Sequence, residues 1–407
     1  MITTENREIT VVKFGGSVLE NERSMEQAAQ LVLDRAERGF GVVVVVSAMK
    51  GVTDQLIALS KKVDPSMEAS LMDELLSSGE KTSARLMANA LVGHGVRAVV
   101  VDPDSPYWPI ITDEKHLDAN PIMEVSRERA QEAIIPLLRE GRVPVVCGFL
   151  GKTLEGKITT MGRGGSDTTA VLLGSCLDAK EVVLIKDVEG VYSSDPDRVR
   201  NPQFIETLKG EEAEMLAAGG AKFLHVKALR YQASGLSIRV TSLDKLNAGT
   251  VIKGDLAPVS LEVFPQSVSM ITVVGLDSRK IESVSQLARA VREDGGSLLA
   301  LSLEANSAIL YVAGGKNVLD QVHQVLVGEN IGKAVSSFDG LSMMTVRGSS
   351  LETERGIVQR VTQPLARANI NVYGIVTIRS SIRVFVASSQ AEEALDLIRA
   401  AMLVKKP

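Results

Sequence analysis

The chain has 407 residues, of which 45% are hydrophobic and 23% charged, a composition typical of a globular protein and not of a disordered one. The net charge is −5 and no Lys/Arg-rich run is present, which excludes the electrostatic footprint of a nucleic-acid-binding protein. No apolar run approaches the roughly 20 residues that span a bilayer, and the polar N-terminal segment is unlike a signal peptide.

This length predicts two or three domains, and the polar N-terminal segment favours a cytoplasmic protein. Cys147 and Cys176 each lie in an apolar setting, so we interpret them as buried thiols in a reducing compartment. The four histidines are scattered without metal-ligand spacing, and the sequence therefore predicts no metal-ligating residues.

Residues 9–255 alternate short apolar runs with amphipathic helical patterns. The run "GVVVVVS" shows no alternation, which is typical of a parallel strand covered on both faces. Helical periodicity covers residues 24–38 and 127–139. The pattern predicts an α/β domain at residues 1–255, doubly wound, with a largely parallel central sheet and helices on both faces.

Beyond this domain the sequence changes character. Residues 256–266 contain two prolines and are predicted to be a linker. An internal repeat follows: "TVVG" from Thr272 matches "TVRG" from Thr345 at an offset of 73 residues. Each copy reads strand–helix–strand–strand–helix, so residues 267–338 and 339–407 are predicted to be two α+β repeats. The second copy has no room for a closing strand, which predicts an exposed sheet edge.

Several strands are followed by glycines and charged residues, where open α/β sheets bind ligands. The motifs are "KFGGS" (13–17), "SAMKGVT" (47–53), "SSGEKTSARL" (77–86), "GRGGSD" (162–167), "KDVEGVYSSDP" (186–196) and "GGAKFLH" (219–225).

Each motif alone also has an ordinary structural interpretation. A Gly-Gly pair after a strand is usually a turn, and Glu80, near the start of a helical pattern, could be a solvated helix acid. Arg163 among three glycines is either a turn residue in solvent or a clamp for a carboxylate or phosphate. "GKTLEGKI" (151–158) has Walker A spacing but lacks the hydroxyl residue after the lysine, so we interpret it as a hairpin turn.

Taken together and in this order, with "IITD" (110–113) and "GFLG" (148–151), these motifs resemble the aspartate kinase family. The resemblance implies the amino-acid-kinase fold followed by two ACT-like repeats. Several of the motifs also occur in the wider group of amino-acid kinases. A kinase of another small carboxylate, such as acetylglutamate or glutamate, therefore remains an alternative, as does a non-catalytic amino-acid sensor that retains the fold.

The family transfers the γ-phosphoryl group of MgATP to the β-carboxylate of L-aspartate, so the resemblance implies ATP and Mg²⁺. It implies three catalytic residues: Lys13, Arg163 and Asp167. It implies that aspartate is held by Ser47, Thr53, Glu80, Arg163 and Ser166. The residues implied for ATP are Lys13, Gly15, Gly16, Ser17, Lys186, Asp187, Tyr192, Asp195, Arg198 and Lys222.

The sequence departs from the family pattern at three places. Asp197 stands where an arginine is common, which puts the nucleotide contact of Arg198 in doubt, and Val226 and Lys227 replace a common Pro-Arg. The first repeat lacks the Asp-x-Pro-Gly turn often found at an effector site. The resemblance still implies a homodimer, or a dimer of dimers, through ACT units. It also implies an amino-acid effector such as lysine or threonine near residues 276–279.

Overall fold

The computed structural model describes residues 7–245, 248–254, 260–276, 281–348, 351, 356–378 and 381–403. The chain divides into two compact units, Met1–Leu256 and Ala257–Pro407. Within the described residues, no helix combines the length and the apolar character that crossing a membrane requires. Both cysteines are buried free thiols, as their apolar surroundings predicted.

An eight-stranded sheet forms the centre of the first unit, in the order β10-β12-β11-β7-β1-β2-β4-β3. Pairing is parallel throughout, except between β11 and β12. The strands are β1 (Ile9–Phe14), β2 (Gly41–Val46), β3 (Ala98–Val101), β4 (Val143–Cys147), β7 (Glu181–Ile185), β10 (Thr207–Lys209), β11 (Ser237–Thr241) and β12 (Thr250–Lys253).

Helices cover both faces of this sheet. Every residue of β2 is buried, which confirms the interpretation of its unbroken valine run. The helices are α1 (Glu22–Glu37), α2 (Val52–Val63), α3 (Ala69–Gly93), α4 (Met123–Arg139), α5 (Gly165–Cys176), α6 (Gly210–Ala218) and α7 (Val226–Leu229). The two helices predicted from periodicity are observed as α1 and α4, and the predicted α/β fold class is confirmed.

Two small antiparallel pairs complete the first unit. The strands β5 (Leu150–Lys152) and β6 (Ile158–Thr160) form a hairpin, which confirms that "GKTLEGKI" is a turn and not a phosphate loop. The strands β8 (Val191–Tyr192) and β9 (Phe204–Ile205) form the second pair.

The second unit contains the predicted repeat. The first copy holds β14 (Val268–Val274), α8 (Ile281–Glu293), β15 (Ser297–Glu304), β16 (Ser307–Ala313) and α9 (Val318–Gly328). The second copy holds the later part of β17 (Ala334–Arg347), followed by α10 (Ile357–Arg367), β18 (Gly374–Ile378), β19 (Ser381–Ala387) and α11 (Ala391–Leu403). Because β17 pairs with β14 through its first half and with β19 through its second half, it belongs to both copies.

The segment interpreted as a linker contains a strand, β13 (Ser260–Val263). It pairs antiparallel with the end of β17, from Ser260 opposite Arg347 to Val263 opposite Met344. The linker prediction is therefore wrong at residues 260–263, and the place of the closing strand that the second copy lacks is taken by β13 of the same chain. The strand has only four residues and lies near Pro258 and Pro265, and prolines argue against a strand in a sequence pattern.

Candidate active site

Two lysines and one aspartate form a charged cluster at the carboxyl ends of β1 and β7. Lys13 on β1 places Nζ 2.8 Å from Oδ1 of Asp167. Lys186, which directly follows β7, places Nζ 2.7 Å from Oδ2 of the same carboxylate. Since β1 and β7 are parallel neighbours, they deliver both lysines to one edge of the sheet. Asp167 lies in the first turn of α5, where the helix dipole stabilises a negative charge.

Burial and charge act in opposite directions on the pKa values of this cluster. Burial raises the pKa of Asp167, but the ammonium groups of Lys13 and Lys186 outweigh it and hold that pKa well below the usual range. Burial lowers the pKa of Lys13, and the carboxylate of Asp167 opposes this shift. Two cations around one anion leave a net positive charge, which suits an anionic ligand.

The cluster opens into a cavity of about 300 Å³. Six of its lining residues were predicted from the sequence as site residues, and they come from four separate motifs of the chain. The six are Lys13, Ser47, Thr53, Glu80, Ser166 and Asp167, and the rest of the lining is Ala48, Phe149, Gly162, Gly164 and Gly165.

Glu80 is a buried carboxylate in which only one of the two oxygens accepts a hydrogen bond from a described residue. Its Oε1 accepts a hydrogen bond from the backbone N–H of Ala48 at 3.0 Å. Its Oε2 is buried and has no hydrogen-bond partner among the described residues. Burial raises the pKa of Glu80 to about 7, although the bond from Ala48 lowers it. A cationic ligand group in the cavity would supply the missing partner.

The location of Glu80 differs from the sequence expectation. It lies in the middle of α3 and not near the start of a helix, and only 3% of its surface is exposed. The segment "SSG" suggested a helix start, yet the hydroxyls of Ser77 and Ser78 donate to the carbonyl oxygens three residues earlier. Gly79 is needed for packing, because a Cβ there would lie 2.9 Å from the Cβ of Ala48. Glu80 is therefore a cavity residue and not a solvated helix acid.

Glycine is required where the loops meet around the cavity. A Cβ on Gly16 would lie 2.4 Å from the carbonyl oxygen of Ala48, so the turn after β1 can approach the turn after β2 only without a side chain. Gly164, the N-cap of α5, has φ of 75°, and a Cβ there would lie 2.2 Å from the Cβ of His225. The backbone conformation and the close approach both exclude larger residues.

Arg163 lies between two cavity-lining glycines, and its own side chain is exposed. No hydrogen bond or ion pair joins its guanidinium to another described residue. Gly162 on its N-terminal side has φ of 69°, and Gly164 on the other side is also left-handed, so the arginine is presented on a sharply turned loop. The structure therefore places Arg163 next to the cavity without using its donors elsewhere.

The residues predicted to contact the nucleotide are less closely gathered. Gly15, Gly16 and Ser17 form the turn after β1, and Asp187 follows Lys186 at the end of β7. Tyr192 on β8 donates to Glu189 at 3.2 Å. The remaining three, Asp195, Arg198 and Lys222, are exposed. The structure does not bring Tyr192, Asp195, Arg198 or Lys222 to the cavity, and their role in nucleotide binding stays a prediction.

Lys227 is a buried residue whose contribution to the site was missed. Its Nζ donates to Oδ1 of Asp118 at 2.9 Å and to the carbonyl oxygens of Ala119 and Met161, both at 2.8 Å. Met161 directly precedes Gly162, so this lysine joins α7 to the loop that carries Arg163. The departure from Pro-Arg was visible in the sequence, but the fold was needed to show what the lysine contacts.

Asp73 was also missed. It is fully buried on α3 and accepts hydrogen bonds from the hydroxyl of Thr160 at 2.5 Å and from the backbone N–H of Leu117 at 3.2 Å. His116 lies 2.7 Å from the same carboxylate. This network fixes the helix that carries Glu80 against β6. A signal existed, because Asp73 and Glu80 are seven residues apart and therefore share one helix face.

We expect Lys227→Met to raise the KM for the amino-acid substrate about tenfold while kcat changes less. Removal of the ammonium group leaves three acceptors without their donor, and the loop of Arg163 is no longer fixed. Lys227→Arg should restore most of the binding, because it returns a cationic donor. Steady-state kinetics provide the measurement. The control is Lys157→Met, on the exposed turn between β5 and β6. If Lys227→Met changed kcat as much as KM, or if Lys227→Arg and the control had the same effects as Lys227→Met, a role of Lys227 in positioning would be contradicted.

An open, largely parallel sheet that gathers lysines, glycine turns and a helix N-terminus at its carboxyl edge is typical of α/β proteins that bind phosphate groups. Comparison with known proteins gives the particular family. The model of the amino acid kinase family matches residues 8–242, and an ACT domain model matches residues 336–400.

Similarity to individual proteins extends over nearly the whole chain. An aspartokinase of Geobacillus stearothermophilus is 32% identical over 381 residues, 89% of each chain. An aspartokinase of Corynebacterium glutamicum is 30% identical and covers 95% of this chain and 94% of its own. The crystal structure of aspartate kinase from Synechocystis superposes with a TM-score of 0.78 at 25% identity, covering 98% of this chain and 70% of that one. The chain belongs to the amino acid kinase family, among the aspartokinases, which are ATP-dependent kinases.

Proposed function

We propose that this protein is an aspartate kinase, which transfers the γ-phosphoryl group of ATP to the β-carboxylate of L-aspartate and yields 4-phospho-L-aspartate. One observation carries the proposal: Asp167 in the wall of the cavity forms ion pairs with Lys13 and Lys186, and Glu80, which lines the same cavity from another element, keeps its Oε2 without a hydrogen-bond partner among the described residues. The lysines suit phosphate and carboxylate groups, whereas Glu80 suits an ammonium group. A free amino acid with an acidic side chain presents both.

The chemical obstacle is repulsion between two anions. The attacking carboxylate is ionised at neutral pH, so no general base is required. Two unit charges 4 Å apart repel by about 4 kcal/mol at an effective dielectric constant near 20. Lys13 and Lys186 offset this repulsion, and Asp167 fixes both ammonium groups before the substrates arrive. The carboxylate oxygen then bonds to the γ-phosphorus as the bond to the ADP oxygen breaks, and no proton moves.

Substrate orientation follows from the position of Glu80 relative to the lysines. Its free Oε2 would accept from the α-ammonium group of aspartate, and Arg163 would bind the α-carboxylate. The hydroxyls of Ser47, Thr53 and Ser166 remain as further hydrogen-bonding groups for the substrate. With both α-groups held, the β-carboxylate is directed toward Lys13, which is the arrangement that transfer requires.

The nucleotide would bring its own magnesium ion. Among the described residues, no group of three or more acidic, histidine or cysteine side chains is placed to hold a metal. Asp167, the aspartate of the cavity, is already engaged by two lysines. Mg²⁺ is commonly bound through substrate phosphates with few protein ligands, so the residues present fit a metal that arrives with ATP. Bound there, it would neutralise phosphate charge.

A coupled assay for ADP formation tests the proposal with L-aspartate, L-glutamate and N-acetylglutamate as acceptors. We expect turnover with L-aspartate that depends on magnesium. N-acetylglutamate should be a poor acceptor, because its acylated nitrogen carries no positive charge for Glu80. Turnover with N-acetylglutamate and none with aspartate would assign the protein to a different kinase activity, and no turnover with any acceptor would favour an amino-acid sensor.

We expect Arg163→Lys to raise the KM for aspartate about tenfold with little change in kcat. A lysine keeps the charge but cannot form the paired hydrogen bonds of a guanidinium with a carboxylate, and one such loss is worth about 1.4 kcal/mol. The control is Arg127→Lys, which alters a partly exposed arginine that pairs with Asp178. Unchanged kinetics in the Arg163 variant would remove the arginine from the site.

We also propose a homodimer, or a dimer of dimers, formed through the second unit, with an amino-acid effector. One similar protein supports the effector: aspartokinase III of Escherichia coli was solved in complex with lysine and aspartate. The predicted effector loop, residues 276–279, lies outside the described residues except for Leu276. Sedimentation of the full chain, with and without lysine or threonine, gives the oligomer size; a monomer at all concentrations would contradict the proposal.

A further inference from the structure

The carboxylate of Asp73 joins α3 to two other segments of the first unit. Asp73 has no exposed surface. Its Oδ1 accepts a hydrogen bond from the hydroxyl of Thr160, at the end of β6, at 2.5 Å. Its Oδ2 lies 2.7 Å from Nδ1 of His116, and the backbone N–H of Leu117 donates to both carboxylate oxygens at 3.2 Å. One side chain therefore connects a helix, a hairpin and the loop formed by residues 113–120.

This loop, residues 113–120, is closed at its base and held at its tip. The backbone N–H of Asp113 donates to the carbonyl oxygen of Asn120 at 3.0 Å, and the side-chain amide of Asn120 donates to the Asp113 carboxylate at 2.8 Å. Leu117 at the tip has φ of 65°. A leucine keeps this left-handed conformation only where its surroundings fix it, and its two bonds to Asp73 do so.

The tip of the loop packs against the turn that carries Arg163. A Cβ on Gly162 would lie 3.0 Å from Oδ1 of Asp118 and 3.1 Å from the carbonyl oxygen of Leu117. Gly162 directly precedes Arg163, and Thr160 lies three residues before it. The turn is therefore connected to α3 by two routes, one through the loop and one through the hydroxyl of Thr160.

The same carboxylate is rigidly connected to Glu80. Asp73 and Glu80 are seven residues apart on α3, which is about 10 Å along the helix axis and on one face. The helix fixes Asp73 relative to Glu80, and the two routes fix Asp73 relative to Arg163. The distance between Glu80 and Arg163 therefore depends on the bonds of a carboxylate that does not itself line the cavity.

We propose that Asp73 is a positioning residue that fixes the spacing between Glu80 and Arg163. The assignment of those two residues to the α-ammonium and α-carboxylate groups of aspartate rests on the proposed function. A displacement of about 1 Å between two such groups is enough to lose much of the binding. Lys13 and Lys186 lie on other strands, so loss of the connection should spare kcat and the KM for ATP.

Two neighbouring threonines of β6 provide a matched pair of variants. Thr160→Val keeps the volume of the side chain, removes one route and leaves Asp73 in place. Thr159→Val is the control, since Thr159 is equally buried and its hydroxyl bonds to Thr112 at 2.7 Å, away from the carboxylate. Thr160→Ser returns a hydroxyl and should restore wild-type behaviour. His116→Ala, at a partly exposed position, weakens the other route and serves as a second variant should Thr160→Val not fold.

Hydrogen exchange followed by mass spectrometry tests the connection without any assay of activity. The informative peptides cover residues 113–119 and 161–165. We expect their amides to exchange at least about fivefold faster in Thr160→Val than in the wild type, because the loop and the turn open locally. Thr159→Val and Thr160→Ser should exchange in these peptides as the wild type does.

Kinetics then separate positioning from a general loss of structure. Thr160→Val should raise the KM for aspartate about tenfold, with kcat and the KM for ATP within about threefold of the wild type. In an Arg163→Lys background the same substitution should raise that KM by less than about twofold, because the residue it positions is already impaired. A purely structural effect would multiply the KM by the same factor in both backgrounds.

Three results would each overturn the inference. They are exchange in Thr160→Val that matches Thr159→Val, a KM for aspartate that stays at the wild-type value, and a tenfold effect that persists in the Arg163→Lys background. Failure of the proposed function is distinguishable from these, because the wild-type enzyme would then not phosphorylate aspartate. In that case hydrogen exchange alone decides whether Asp73 fixes the turn of Arg163 relative to α3.

Discussion

Replacement of Lys13 by methionine is expected to lower kcat by about 10²–10³-fold while the KM for aspartate changes less than about threefold. In the proposed mechanism the lysine acts on the negative charge that develops during phosphoryl transfer, and the loss of one such electrostatic partner costs about 3–4 kcal/mol in the transition state. The residues proposed to hold aspartate are mainly Glu80 and Arg163, and the substitution leaves both in place. Initial-rate kinetics at saturating ATP separate the two parameters.

The same variant also tests how Asp167 depends on its partners. With Lys13 gone, the buried carboxylate keeps only Lys186, so the variant should be less stable as well as slower. Circular dichroism at the assay temperature must therefore confirm that the variant is folded. Lys180→Met is the control, because Lys180 pairs with Glu8 on the surface. A folded Lys13→Met enzyme with wild-type kcat would show that the cluster is structural and that transfer takes place elsewhere.

Much of the fold could be predicted from the sequence because its signals are local. Unbroken valine runs predict covered parallel strands, and helical periodicity located α1 and α4. The repeat at an offset of 73 residues gave the plan of the second unit. β13 was missed because four residues near two prolines carry too little pattern, and the strand exists only because β17 offers it a partner. Local periodicity does not predict which distant segments pair in a sheet.

Six residues of the cavity could be predicted from the sequence, but their environments could not. The motifs placed Lys13, Glu80 and Asp167 in one set, yet the pairing of Asp167 with two lysines depends on parallel strands meeting α5. Glu80 appeared to be a helix-start acid because the residues before it are small. Only packing against Ala48 reveals why a glycine and two serines continue the helix. Lys227 could not be identified because its three acceptors lie on segments that are distant in sequence.

Glu80→Gln is expected to lower kcat/KM for aspartate about 30-fold or more and to change the shape of its pH profile. The pKa of about 7 in the folded protein means that wild-type Glu80 is protonated below pH 7 and cannot pair with an ammonium group. Wild-type kcat/KM should therefore rise with pH to a plateau above about pH 7, since this parameter reports the free enzyme. The glutamine variant lacks this titration. Glu74→Gln, on the exposed side of the same helix, should keep the wild-type profile.

The stability of the wild-type protein should fall as pH rises, whereas its kcat/KM rises. The pKa of Glu80 is raised from 4.5 to about 7 on folding, so between these values the native state binds more protons than the unfolded state. Wild-type stability therefore falls as pH rises through this window and levels off above it. Each pKa unit corresponds to about 1.4 kcal/mol, so the unfolding free energy of Glu80→Gln minus that of the wild type should increase by up to about 3 kcal/mol between pH 4 and pH 8. The cost of burying an amide does not titrate in this range and cancels from the change. Urea unfolding of both proteins at a series of pH values measures this difference, and a constant difference across that range would mean that Glu80 is not a buried carboxylate awaiting a cation.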